Sequence, residues 1–185
     1  LYLFVDTETT GLDPKRAAIV QLAALIVDKD GYINGEFDSR IRPHEGAIIE
    51  GGALAINKRK HDELLNAPTN SEVCERFRKF VGPRELVFAG YNCPFDQKFV
   101  WALFGLTGIY TKYIIPKEGP LDILEKARKL VRKPTEVENH KLGTVAKFFG
   151  QYREGAHNAL EDLYMTVNVW KCLKVREAEI KAGVR

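Results

Sequence analysis

The chain opens with three runs in which apolar residues dominate: Leu1 to Asp6, Ala17 to Asp28 and Tyr32 to Arg42. Between them stand Gly11-Leu12-Asp13-Pro14 and Asp28-Lys29-Asp30-Gly31. Runs of this length bounded by Gly, Pro and Asp predict three strands joined by two hairpin connections. The apolar spacing then changes from strand-like to helix-like. Between Asn57 and Val81 it predicts a helical segment in two pieces, broken at Ala67-Pro68. Thr69 caps the second piece, whose apolar stripe is Val73, Phe77, Phe80 and Val81.

Leu86 to Ala89 reads as a buried strand, Phe95 to Phe104 as a helix, Tyr113 to Ile115 as a short edge strand, and Leu121 to Val131 as a helix with Leu124, Ala127 and Val131 on one side. The polar, proline-containing stretch from Arg132 to Asn139 predicts a mobile loop. The last helix, from about Asn158 to Lys174, carries two stripes. Leu160, Leu163, Val167 and Trp170 form one; Ala159, Asp162, Thr166 and Val169 form the other, with Asp162 as its single charge. A carboxylate facing a packed sheet must be paired, hydrogen-bonded or metal-bound. Three antiparallel strands followed by alternating helix and strand predict an α/β fold, a mixed five-stranded sheet flanked by helices, with residues 1–185 forming one domain without repeat or linker.

Composition narrows the function classes. With 45% hydrophobic and 29% charged residues the chain reads as globular, and the apolar opening stops at Asp6, far short of a membrane span. Three cysteines, Cys74, Cys93 and Cys172, lack the spacing of a disulfide framework or a zinc site, so a reducing, cytoplasmic setting with no membrane partner is expected. A net charge of +3 permits a polyanionic partner without requiring one.

The candidate chemistry lies in three acidic motifs: Asp6-Thr7-Glu8, Asn92-Cys93-Pro94-Phe95-Asp96 and His157-Asn158-Ala159-Leu160-Glu161-Asp162. Each alone has an ordinary explanation. Asp6 and Glu8 resemble a strand end, Asp96 a helix cap, and His157 a loop residue. Together they offer four carboxylates and an imidazole, the donor set that holds two hard divalent cations and activates water against a phosphodiester. Asp6 and Glu8, two apart on a strand, leave the same face about 7 Å apart along it. His157 stands five residues before Asp162, and its unperturbed pKa near 6.5 suits a general base.

The strings Asp6-Thr7-Glu8-Thr9-Thr10-Gly11, Asn92-x-x-Phe95-Asp96 and Ala156-His157-x-Ala159-x-x-Asp162 resemble the three motifs of the DEDDh (DnaQ-like) 3′–5′ exonucleases, a family with an RNase H-like fold. The likeness runs from Tyr2 to about Leu173. It implies Asp6, Glu8 and Asp162 as ligands of the catalytic metals, two Mg²⁺ or Mn²⁺, with Asp96 on the second metal and His157 taking the proton of the attacking water. It implies Thr9 and Thr10 as contacts to the terminal nucleotide, Phe95 and Asn92 beside its base, and nucleic acid with a free 3′ end as the partner, single-stranded DNA being favoured. A polymerase or other replication, repair or processing protein is the implied associate.

Tyr91 and Asn57-Lys58 depart from the histidines common at those places, which leaves substrate preference open. Among three basic clusters, at Lys58-Arg59-Lys60, at Arg76, Arg78 and Lys79, and from Lys126 to Lys133, the first is the expected phosphate contact, through Lys58, and the others read as solvated helix faces. An exoribonuclease or oligoribonuclease with the same catalytic set, and a non-catalytic nucleic-acid-binding module, stay open as alternatives. Asp28-Lys29-Asp30-Gly31 lacks the glutamate and spacing of a calcium loop.

Overall fold

The computed structural model describes residues 1–50, 64–113, 115–116, 118–154 and 158–184. Its five strands are β1 (Tyr2–Thr9), β2 (Ile19–Val27), β3 (Ile33–Arg40), β4 (Val87–Gly90) and β5 (Leu121–Asp122). The helices among the described residues are α1 (Asn70–Val81), α2 (Cys93–Thr107), α3 (Ile123–Leu130), α4 (Leu142–Phe148) and α5 (Ala159–Lys181). The strands form one sheet in the order β3-β2-β1-β4-β5, with β1–β2 and β2–β3 antiparallel and β1–β4 and β4–β5 parallel. This is the mixed sheet that the sequence predicts.

All nine residues of β2 are buried, because the strand lies inside the sheet with helices covering both faces. On one face Leu3, Val5, Leu22, Ala24 and Ile26 meet the apolar sides of α1 and α2. On the other, Phe4, Ala23, Leu25 and Val27 meet α3, α4 and α5. Trp170 of α5 lies edge-on to Tyr2 at 5.0 Å and tilted against Phe4 at 5.4 Å, contacts worth about 0.5–1.5 kcal/mol each beyond their burial. These contacts set how α5 lies across β1.

Thr69 caps α1 reciprocally with Glu72, as its position predicts. Three expectations need correction. Neither Tyr113 nor Ile115 is in a strand; the edge strand is Leu121–Asp122, and the helix predicted from Leu121 begins at Ile123. Asp122 explains the shift, since its side chain accepts the Leu124 N–H at 2.9 Å as N-cap while its backbone pairs with Gly90. The last helix continues past Lys174 to Lys181. The Arg132–Asn139 stretch is tied down. Glu136 accepts two bonds from the buried Arg176 guanidinium, at 2.6 and 2.8 Å, and one from the Arg132 N–H at 2.7 Å, while Val137 enters the core. Among the described residues no helix is long and apolar enough to cross a membrane.

Arg176→Ala removes both guanidinium bonds to the Glu136 carboxylate, which keeps the Arg132 N–H, and frees the Leu130 carbonyl. It is expected to destabilise the fold by about 1.5–3 kcal/mol, the worth of hydrogen bonds to a charged group, read as a lower midpoint in urea unfolding. A change under about 1 kcal/mol would mean that the pair does not hold this loop.

Candidate active site

The site lies where β1 runs out. Its register with β2 slips between Glu8 and Thr9, where Glu8 pairs with Gln21 and Thr9 with Ile19, which leaves Val20 of β2 as the extra residue at the rim of the sheet. Because side chains alternate along a strand, Asp6 and Glu8 leave by the face that carries α5, and Thr7 leaves by the face that carries α2. On the first face they meet Asp162, in the first turn of α5, and oxygens of Asp6, Glu8 and Asp162 all lie within 4.8 Å of one another.

Asp96 arrives from the other side. It is 3% exposed in the first turn of α2, and its Oδ1 accepts both the Thr7 N–H at 2.9 Å and the Thr7 hydroxyl at 2.8 Å. β4 ends at Gly90, level with Val5, so no strand partner continues beside Thr7 on that side. The Asp96 carboxylate takes the vacant donor, which satisfies a buried backbone group and fixes one carboxylate oxygen. Close approach of the two strands requires Gly90, since a Cβ there would lie 2.9 Å from the Val5 carbonyl oxygen.

Gln21, 2% exposed and opposite Glu8 on β2, braces the start of α5. Its amide reaches Asn158 Oδ1 at 3.4 Å and Asp38 Oδ1 at 2.8 Å, and its Oε1 accepts the Ala159 N–H at 3.4 Å. Asn158 in turn caps α5, accepting the Leu160 N–H at 3.1 Å. The position of Asp162 is therefore set in part by a buried glutamine of β2, acting through the Asn158 cap and the first N–H of α5. A lone polar residue inside the run Ile19–Val27 was the sequence signal for it; Thr7 offered none beyond its place between two acids.

The other residues singled out from the sequence divide. Thr10 is fully buried, with its hydroxyl donating to the Ile48 carbonyl at 2.7 Å and accepting the Ala18 N–H at 2.9 Å, so it anchors the turn after β1. The Thr9 hydroxyl donates to the Gly11 carbonyl at 2.7 Å. Phe95 is partly buried against Phe99, 5.0 Å away, and Asn92 is exposed at the start of α2 in a left-handed conformation, φ 71°. His157 and Lys58 lie outside the described residues. A roomier cavity of about 800 Å³, lined by Trp101, Tyr110 and Tyr113 among others, sits by the carboxyl end of α2, away from the carboxylates.

The sequence matches the family model described as Exonuclease, of the RNase T type, over residues 3–170. The chain belongs to the DnaQ-like exonuclease family. This family member is 32% identical to the PolC-type DNA polymerase III of Staphylococcus saprophyticus over 96% of its own length and 12% of the polymerase. It is 30% identical to that of Bacillus cereus over 89% of its length and 11% of the polymerase. It thus spans about one-eighth of these relatives. Among solved structures, E. coli exonuclease I in complex with a dT13 oligonucleotide superposes with a TM-score of 0.80 at 20% identity, covering 98% of this chain and 42% of that one. The shared fold is RNase H-like.

In this exonuclease-family chain the acids are held against their own repulsion. The pKa of Asp6 is raised well above the ordinary carboxylate value by loss of solvation, then by the charges of Asp96, Asp162 and Glu8. That of Asp96 is pushed up to about 7 by burial, against the lowering effect of the two Thr7 bonds, with Glu8 adding to the rise. A hard divalent cation fits this all-oxygen donor set, and its charge offsets the repulsion among the acids.

A carboxylate with a raised pKa binds more protons folded than unfolded, so its stabilising share is complete below pH 4 and is lost as pH climbs through the folded value. The metal-free protein is expected to lose thermal stability between about pH 4 and 7. At about 2–4 °C per kcal/mol for this chain length, the loss is readable by calorimetry. Mg²⁺ or Mn²⁺ should restore Tm at pH 8 and do little at pH 5, where protons occupy the same oxygens. A pH-independent metal effect would place the cation elsewhere.

Proposed function

We propose that the chain is a divalent-metal-dependent 3′–5′ exonuclease that releases nucleoside 5′-monophosphates from single-stranded or frayed ends of DNA. The observation that carries the reading is the convergence of Asp6, Glu8 and Asp162 within 4.8 Å, with Asp96 pinned beside them by Thr7. Structural demands on the fold do not account for gathering like charges at such a cost.

Asp6, Glu8 and Asp162 would hold Mg²⁺ or Mn²⁺, and Asp96, with one oxygen fixed by Thr7, would present the other to a second ion. When bound, the ions supply Lewis acidity and positive charge at the phosphodiester. The chain's own residues then bind and orient. Phe95, at the lip of α2, offers an aromatic surface on which any terminal base can stack. Asn92 stands exposed at the start of the same helix, and Thr9 and Thr10 hold the turn that follows the acids. His157, five residues ahead of Asp162, would accept the proton of the attacking water, as the family motif implies. DNA is favoured as substrate because the relatives are DNA polymerases and because exonuclease I of the same fold is seen with a dT13 strand. The same relatives favour a polymerase as partner.

With Mn²⁺, a 5′-labelled single strand is expected to yield a descending ladder, faster on DNA than on matched RNA. Asp6→Ala and Asp162→Ala should abolish the ladder. Cleavage of a closed circular strand at a comparable rate would make the enzyme an endonuclease and remove the reading.

His157→Ala is expected to bind Mn²⁺ and single strands nearly as the wild type does while losing about 10²–10⁴-fold in turnover, the worth of a positioned base. Wild-type turnover should rise with pH through the neutral region and flatten in the variant. Loss of metal affinity in step with activity would make His157 a ligand or a support instead.

A further inference from the structure

Beside the carboxylates, on the β4–β5 side, the structure forms an open pocket of about 540 Å³ that the chemistry above does not use. Tyr91, Arg128, Lys133, His140 and Lys141 line it. No carboxylate is among the lining residues. The sequence suggests only a solvated helix face for Arg128 and Lys133, and gives no reason to join Lys141 to them. The tertiary structure brings these three cations, from α3, the following turn and the residue before α4, to one concavity.

Its location follows from the sheet. The register that pairs Phe4 with Ala89 ends β4 level with Val5, so Tyr91, next after Gly90, leaves the sheet beside the stretch of β1 that carries Asp6. β5 lies one strand further out, and the cations come from the chain that follows it, α3 and the segment leading to α4.

The walls are fixed. The Tyr91 hydroxyl donates to the His140 carbonyl at 2.7 Å, and His140 Nε2 donates to the Val131 carbonyl at 2.9 Å, tying β4, the end of α3 and the start of α4 together. The turn bearing Lys133 closes through Glu136 N–H on the Arg132 carbonyl at 2.9 Å and is anchored by Arg176. Neighbouring acids are engaged. Asp122 Oδ1 accepts the Asn92 and Leu124 N–H groups, and Glu125 pairs with Arg128 at 2.6 Å. Lys133 and Lys141 are exposed, and among the described residues neither has a carboxylate within salt-bridge distance.

From this arrangement we infer that the pocket of Arg128, Lys133 and Lys141 is a phosphate clamp, which holds the backbone of the nucleic-acid strand at an internucleotide phosphate away from the end being cleaved. Cations beside an acidic site meet a physical need, since the acids repel a polyanion and the approaching strand requires positive charge close by. Tyr91 adds a ring edge at the wall nearest the site. The inference rests on the exonuclease reading only for which end of the strand lies at the carboxylates.

The test is binding of 5′-fluorescein dT20 by anisotropy, in Ca²⁺ to limit cleavage, across a range of salt. Lys133→Gln with Lys141→Gln is expected to weaken binding about tenfold or more at low salt. It should also reduce the slope of log affinity against log salt by about 1.4, at 0.7 per phosphate contact on a single strand. The same charge change at Lys29→Gln with Lys181→Gln, in the β2–β3 turn and at the last residue of α5, should leave both nearly unchanged. Wild-type affinity and slope in the first variant would overturn the clamp, as would equal loss in the second. An equal loss of affinity for dTMP would also overturn it, because the pocket would then hold the terminal phosphate. Local loss of dT20 binding in a protein whose wild type releases no nucleotides would support the clamp and remove the exonuclease reading, so the two fail separately.

Discussion

Like charges repel, and this protein holds three carboxylates within 4.8 Å of one another with a fourth close enough to raise the pKa of the first. At 4 Å and an effective dielectric of about 20, each such pair opposes folding by about 4 kcal/mol, against a total stability of about 5–15 kcal/mol for a typical domain. The arrangement survives only because the elements bearing the acids are fixed by contacts made elsewhere. β1 is locked between β2 and β4, and α5 is seated on β1 through Trp170 and on β2 through Gln21 and Asn158. The core makes the site rigid, and the rigidity holds the acids together against a repulsion that protons or cations relieve.

The division of the acids between the sheet's two faces follows from the alternation of side chains along β1. Asp6 and Glu8 belong to the face of α5; Thr7, between them, belongs to the face of α2 and reaches Asp96 there. Because β4 stops short, Asp96 can bond the Thr7 backbone as a strand would, and groups from opposite faces meet just past the end of the sheet. A longer β4 would pair with Thr7 and keep Asp96 away. The acidic site depends on where a strand ends as much as on which residues it contains.

The basic pocket shares that edge and depends on the same termination. Where β4 gives way to Tyr91, the phenol links to His140 and the His140 ring to Val131, which stiffens the segments carrying Lys133 and Lys141. Negative and positive features thus stand side by side on one rigid rim, an arrangement suited to a polyanion whose end must enter an acidic pocket.

Much of this was legible in the sequence. The apolar runs located β1, β2 and β3; the 3.6-residue spacing located α1, α2 and α5; and three motifs named the acids, because strand and helix periods determine which side chains share a face without knowledge of the fold. Lone acids among apolar neighbours also marked Asp6 and Asp162 for a role beyond solubility. Other features depended on contacts between residues distant in the chain. Leu121–Asp122 is too short to show a period, and only pairing with β4 makes it a strand. The Arg132–Asn139 stretch has the composition of a loose loop, and Arg176, some 40 residues on, holds it. The tie between Thr7 and Asp96 spans 89 residues, and the pocket of Arg128, Lys133 and Lys141 exists only once α3 and α4 are packed. Local periodicity determined the elements and their chemical contents; the ends of strands and the meeting of distant side chains were decided by the tertiary structure, because hydrogen-bond partners and charge neighbours are set by distance in space rather than by separation along the chain.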